Sequence, residues 1–142
     1  MLTEKDYCDY DTCVALKELG YKTPTSAYYI PNNETLCFVS NPYRGGYVID
    51  CFHSHNSLRE DVMTHDFIDA PTMWEAQKWL REEKNIIVEV FVDDDSDTPI
   101  TYNIYKGGEC VCHHHGKYWS VKEWSEALSE GIKSAVKILK EK

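Results

Sequence analysis

Two short segments of the chain carry cysteine and histidine at alternate positions. They are Cys51-Phe52-His53-Ser54-His55 and Cys110-Val111-Cys112-His113-His114-His115. Alternate side chains of an extended strand point to the same side. Each segment would therefore present three potential metal ligands on one face, which are Cys51, His53 and His55 in the first and Cys110, Cys112 and His114 in the second. Zinc takes four Cys or His ligands in a tetrahedron, so two such strands that met in space would provide a zinc site.

The spacing of these residues disfavours zinc. Structural zinc sites usually take two ligands from a tight C-x2-C turn, whereas C-x-C on a flat strand spreads its sulfurs along the surface. Partly buried thiols and solvated imidazoles are therefore the favoured interpretation, and a zinc protein is the alternative. A cysteine nucleophile is also disfavoured, because His53 and His55 would lie about 7 and 13 Å from Cys51 along an extended strand.

Aromatic residues suggest a second kind of site. Ten tyrosines and four tryptophans in 142 residues exceed what a central core of this size needs, and Tyr and Trp commonly anchor protein interfaces. The candidate interface residues are Tyr28, Tyr29, Tyr43, Tyr47, Tyr105 and Trp119. The alternative interpretation is that such rings fill the core, with the tyrosine hydroxyls at its edge.

Composition excludes several classes of ligand and location. Asp and Glu outnumber Lys and Arg by 24 to 15, which gives a net charge of −9 and no basic cluster for nucleic acid. No apolar run approaches the roughly 20 residues that span a bilayer, and the first residues lack the features of a signal peptide. We therefore expect a cytoplasmic protein without nucleic-acid or membrane partners, whose six cysteines are reduced thiols or metal ligands.

Three amphipathic helices are predicted. The first lies between Thr3 and Gly20, while the second and third begin at Thr72 and Ser120. Thr72 and Ser120 are each followed by Glu three residues later, which is the spacing of a capping box. In a helix that starts at Thr3, the apolar stripe includes Cys8 but not Cys13. The pattern therefore predicts a buried Cys8 and a Cys13 at the edge or surface.

The second half of the chain predicts a three-stranded meander. Alternating Ile and Val indicate a strand over 86–92, the acidic loop 93–97 turns the chain back, and a strand follows over 99–105. Gly107-Gly108 is a strong hairpin signal into a third strand over 109–115. Such a turn would place Tyr105 opposite Cys110, and Asn103 opposite Cys112.

The remaining apolar runs complete the predicted fold. Short runs over 27–30, 36–39 and 47–52 are separated by turn residues and indicate further antiparallel strands, whereas 53–69 has no clear period. The expected architecture is a single α+β domain over 1–142, in which an antiparallel sheet of about five or six strands packs with three helices.

One stretch of sequence carries a resemblance. The segment Ala70-Pro71-Thr72-Met73-Trp74-Glu75-Ala76-Gln77-Lys78-Trp79-Leu80-Arg81 precedes a β-hairpin and a closing helix with Trp124, Ala127, Leu128, Gly131 and Ile132, and the opening helix ends Leu16-Lys17-Glu18-Leu19-Gly20-Tyr21. This pattern resembles small uncharacterised proteins of gut Bacteroidales genomes and their phages or mobile elements. The resemblance implies an α+β fold and a bacterial or phage origin, and it transfers no functional residue.

The functional prediction follows from what the motifs lack. Neither Gly45-Gly46 nor Gly107-Gly108 belongs to a phosphate-binding loop, and no catalytic constellation can be assembled from the sequence. We expect a non-catalytic binding or interaction protein without a cofactor, whose partner is a protein or a small ligand. A zinc-binding protein is the alternative.

Overall fold

The computed structural model describes residues 2–23, 25–31, 34–39, 49–51, 67–113 and 117–141. The chain forms two compact units, Met1–Pro71 (unit 1) and Thr72–Lys142 (unit 2). The α+β class is confirmed. The single sheet of five or six strands is not found, because the described strands lie in one antiparallel sheet of four strands and one of three. The single domain over 1–142 stays a prediction.

Unit 1 combines one described α-helix with the four-stranded sheet. Its elements are α1 (Tyr10–Glu18), β1 (Ala27–Ile30), β2 (Thr35–Val39), β3 (Ile49–Cys51) and β4 (Ile68–Asp69), with sheet order β3-β2-β1-β4. All four residues of β1 are buried, because this strand lies between β2 and β4. Tyr29 of β1 donates its hydroxyl proton to the backbone oxygen of Cys8 over 2.8 Å.

The first predicted helix begins later than its sequence pattern indicated. Thr3 caps only a short 3-10 turn, and α1 starts after Asp9, whose carboxylate accepts from the backbone N–H of Thr12 over 2.9 Å. The helix therefore buries a different face. Cys8 is buried as predicted, but Cys13 is buried as well, with only 1% of its surface exposed, so the expected edge or surface position of Cys13 was wrong.

Unit 2 is a meander covered on one face by two helices. Its elements are α2 (Met73–Lys84), β5 (Ile86–Val92), β6 (Ile100–Lys106), β7 (Glu109–His113) and α3 (Trp124–Lys140), with strand order β5-β6-β7. The capping box of α2 forms as predicted. The backbone N–H of Glu75 donates to Thr72 Oγ1 over 3.1 Å, and the N–H of Thr72 donates to Glu75 Oε1 over 2.8 Å.

The core of unit 2 consists of alternate strand residues and the inner faces of the helices. The buried side chains include Ile86, Val88, Ile100, Tyr102 and Ile104 of the sheet, Met73, Ala76, Trp79 and Leu80 of α2, and Ala127, Leu128, Ile132, Ala135 and Val136 of α3. In the described part of the chain, no helix is long and apolar enough to cross a bilayer.

A β-bulge changes the predicted pairing of β6 and β7. Tyr105 lies opposite Cys110 as expected, but the next pair is Ile104 with Cys112, and Asn103 lies opposite His113. The extra residue is Val111, which is 45% exposed. The expected pairing of Asn103 with Cys112 was therefore wrong, because a bulge sets two residues of one strand against one of its neighbour.

Candidate functional site

The structure describes the predicted metal ligands only in part. His53, His55 and His114 lie outside the described residues, and Cys51 is described by its backbone in β3. The two remaining ligands are the exposed Cys110 and the half-buried Cys112. Among the described residues, no group of three or more His, Cys, Asp or Glu is placed to hold a metal. The zinc site stays a prediction, which elemental analysis of protein purified without a metal-affinity column would test.

The bulge at Val111 gives the two strand cysteines different surroundings. The partner of Cys110 is the half-buried Tyr105, whereas the partner of Cys112 is Ile104, which is fully buried on the opposite face of β6. Burial, followed by the neighbouring Cys110, raises the pKa of the Cys112 thiol. A raised pKa disfavours the thiolate, which is the form that attacks substrates or binds metals.

One cysteine departs from the expectation of reduced thiols. Cys37 of β2 is disulfide-bonded, so that expectation was wrong for this residue. Cys8, Cys13, Cys110 and Cys112 form no disulfide. In the pairing of β2 with β3, the residue opposite Cys37 is Cys51. The cellular compartment, inferred from the sequence, does not reveal which cysteines lie opposite each other in a sheet.

The predicted interface residues fall into three groups. Tyr28 and Tyr29 are buried in unit 1, with 5% and 7% of their surface exposed, which matches the alternative interpretation that these rings fill the core. Tyr105 and Trp119 are half-buried in unit 2. The other two candidates, Tyr43 and Tyr47, lie outside the described residues.

Unit 1 contains a cleft that the sequence did not indicate. Its volume is about 340 Å³, and the described residues that line it are Cys13, Lys17, Tyr21, Lys22, Phe67 and Asp69. These residues come from α1, from the segment that follows it and from the region of β4. Because the two groups are far apart in the sequence, no local motif could have identified this cleft.

Asp69 is the acidic group of the cleft. Burial raises the pKa of its carboxyl group, while Lys17 and the Thr25 hydroxyl act in the opposite direction without cancelling the effect. A carboxyl whose pKa is higher in the folded than in the unfolded protein binds its proton more readily in the folded state. Its contribution to stability therefore decreases as the pH rises through the pKa that the carboxyl has in the folded protein.

This shift predicts the effect of Asp69→Asn. Asparagine cannot ionise, so we expect the melting temperature of the variant to exceed that of the wild type at pH 7. The difference should shrink as the pH falls and the wild-type carboxyl becomes protonated. Melting curves of both proteins from pH 7 downwards would test the prediction, and a difference that does not change with pH would contradict it.

Four exposed apolar side chains lie in segments that meet at one end of the sheet of unit 2. We call this region the apolar end; its residues are Val92, Tyr118, Val121 and Trp124, which are 64%, 41%, 66% and 39% exposed. Backbone pairing brings the segments together, because Val92 lies opposite Ile100, and Ile100 exchanges two hydrogen bonds of 3.0 and 2.8 Å with Trp119. The half-buried Trp119 of the predicted interface therefore lies beside this surface.

Acidic groups border the apolar end. The loop after β5 carries Asp93, Asp94, Asp95 and Asp97, and the Tyr118 hydroxyl donates to Asp93 Oδ2 over 3.2 Å. Hydrogen bonds from Ser96 lower the pKa of Asp94, and hydrogen bonds from Ser120 lower that of Glu123. Both carboxylates are therefore charged at neutral pH. The exposed apolar surface lies in a negative electrostatic environment.

No protein-family model, curated protein or solved structure matches this chain.

Proposed function

We propose that this chain is a non-catalytic binding protein that engages a basic, partly apolar segment of a partner protein through the apolar end of unit 2. The observation that carries the proposal is that Val121 and Trp124 are exposed in the segment after Trp119, which pairs with Ile100 at the end of the sheet that carries the acidic loop. Interaction sites typically expose several apolar residues within a polar border.

Trp124 and Val121 are expected to contribute most of the binding energy at the apolar end. Trp is among the residues most often found to dominate binding energies, because it buries a large apolar area with few rotatable bonds. Trp124 begins α3, and Val121 lies on the 3-10 turn before it, which the Ser120–Glu123 capping box holds in place. The two side chains are therefore presented by a defined backbone, which reduces the entropy lost on binding.

Charge favours a basic partner. The chain has a net charge of −9, and the acidic loop adds a concentrated negative field beside the apolar residues. Complementary charges increase the rate of association and exclude acidic competitors. Because the charges at this surface are exposed to solvent, salt should weaken the binding.

The described thiols support a non-catalytic role. A hydrogen bond with Cys8, followed by burial, raises the pKa of Cys13 well above its ordinary range, and the pKa of Cys112 is raised by burial. Both groups are therefore kept as thiols at neutral pH. A cysteine nucleophile needs the opposite shift.

The prediction for this surface concerns Trp124→Ala. The probe is a fluorescent peptide of about 15 residues in which leucine and lysine form an amphipathic helix. We expect the variant to bind this peptide more than tenfold more weakly than the wild type in a fluorescence anisotropy titration. Removal of the indole eliminates the largest apolar group of the surface.

The matched control is Trp74→Ala, because Trp74 of α2 is 45% exposed and has no acidic loop beside it in sequence. This variant should bind the peptide as the wild type does. A second peptide, with glutamate in place of every lysine, should not bind. Equal losses in the two tryptophan variants, or equal affinity for the acidic peptide, would contradict the proposal.

The location of the protein is a separate part of the proposal. The sequence predicts a cytoplasmic protein, but disulfides persist mainly in oxidising compartments, because the cytosol keeps thiols reduced. The disulfide at Cys37 therefore favours an oxidising compartment. The bacterial or phage origin remains a hypothesis that rests on the resemblance alone.

A further inference from the structure

We infer that the cleft of unit 1 is a second binding site, whose ligand is a small organic anion with a flat apolar body, such as an aromatic carboxylate. This site is independent of the apolar end, because all its described lining residues belong to unit 1. Its volume of about 340 Å³ falls within the range of small-molecule sites, which is about 300–1,000 Å³.

The charges of the cleft favour an anion. Lys17 and Lys22 face one acidic group, Asp69, so the described lining carries an excess of positive charge in a chain whose net charge is −9. Lys17 lies close enough to Asp69 to lower its pKa, whereas Lys22 makes no such contribution. The ammonium group of Lys22 is therefore the more available partner for a ligand carboxylate, and Lys17 would be shared with Asp69.

The apolar lining favours a flat ligand. Phe67 packs on Tyr28, with ring centroids 4.6 Å apart and planes inclined by 39°, yet 43% of its surface remains exposed. An aromatic ring that is held from one side and exposed on the other can stack with a second ring. Tyr21 and Cys13 contribute a buried apolar wall, since only 4% and 1% of their surfaces are exposed.

Two probes of nearly equal shape separate the effect of the ligand's charge from the effect of its size. Phenylacetate carries a carboxylate, and phenylacetamide replaces it with a neutral amide of nearly the same size. We expect phenylacetate to bind the full chain at least tenfold more tightly at neutral pH, as measured by NMR titration. Chemical-shift changes should be centred on Lys17, Lys22 and Phe67.

Lysine variants test which cation is responsible. Lys22→Met keeps much of the apolar chain of lysine and removes its charge, so the affinity for phenylacetate should fall at least fivefold while phenylacetamide is unaffected. Lys78→Met, on the exposed face of α2 in unit 2, is the matched control and should bind like the wild type. Melting curves of each variant confirm that the protein is folded.

Asp69→Asn provides a test in the opposite direction. Removing the carboxylate leaves Lys17 without its acidic neighbour, so phenylacetate should bind several-fold more tightly to this variant. The inference is overturned if neither probe binds at millimolar concentration, if the two probes bind equally, or if Lys78→Met weakens binding as much as Lys22→Met does.

Discussion

Cys37→Ala is expected to lower the free energy of unfolding of unit 1 by about 3 kcal/mol, which is the typical effect of removing a disulfide that closes a loop of about 15 residues. Cys37 is disulfide-bonded, and the backbone register places Cys51 opposite it on β3. A bridge from Cys37 to Cys51 would restrict the unfolded chain across the whole segment between them. Urea unfolding of the oxidised wild type and the variant would measure the difference.

Two controls separate the bond from the packing of its sulfur. Cys37 is fully buried, so alanine also removes apolar contacts, whereas the chemically reduced wild type keeps both sulfur atoms. Reduction alone should therefore produce most of the loss. Cys110→Ala, at an exposed cysteine that forms no disulfide, should change stability by no more than about 0.5 kcal/mol. A reduced wild type as stable as the oxidised form would contradict the prediction.

Trypsin provides a direct map of the cysteines, because its sites divide them cleanly. Cys37 lies in peptide 23–44 and Cys51 in peptide 45–59, while peptide 6–17 holds Cys8 and Cys13, and peptide 107–117 holds Cys110 and Cys112. Without reduction, mass spectrometry should find peptides 23–44 and 45–59 joined. A link from peptide 23–44 to either of the other two peptides would contradict the assigned register.

Features that depend on neighbouring residues could be predicted from the sequence. The Thr72–Glu75 capping box spans four residues and forms as expected. The Gly107-Gly108 turn places Tyr105 opposite Cys110, and both glycines have the positive φ that two-residue hairpins favour. In each case the residues that determine the local structure are close neighbours in the sequence.

Features that depend on distant residues could not be predicted in this way. The bulge at Val111 depends on how β6 and β7 pair, and nothing in the sequence around Val111 indicates it. The cleft and the disulfide at Cys37 each require residues from separate strands or helices to meet. Period and spacing do not specify such encounters, since many sheet orders are compatible with the same pattern of strands.

The division of the strands into two sheets is a further example. Each strand in the described part of the chain has apolar residues suitable for a core, but nothing in the runs at 27–30 and 86–92 indicates whether they share a sheet. Turn length settles only the pairing of consecutive strands. The sequence therefore predicts which consecutive strands pair, but not how the pairs are divided between sheets.

Gly131→Ala is expected to lower the free energy of unfolding of unit 2 by about 2 kcal/mol, although alanine is the better helix former by about 1 kcal/mol. Gly131 lies on the buried face of α3, and a Cβ at this position would be 2.5 Å from Val88 Cγ1 and 3.4 Å from the Tyr102 ring. Valine has a stiff, β-branched side chain, and Val88 is only 1% exposed, so it has little space in which to move. Overpacking should therefore outweigh the gain in helix propensity.

A double-mutant cycle identifies the clash as the cause. Val88→Ala alone should destabilise unit 2 because it leaves a cavity, but in the Gly131→Ala background the same change removes the atom that the new methyl group contacts. The double variant should then be more stable than the sum of the single effects predicts, by at least about 1 kcal/mol. Additive effects would show that α3 moves away from the sheet as a whole. They would contradict a local clash between the new methyl group and Val88 as the cause of the destabilisation.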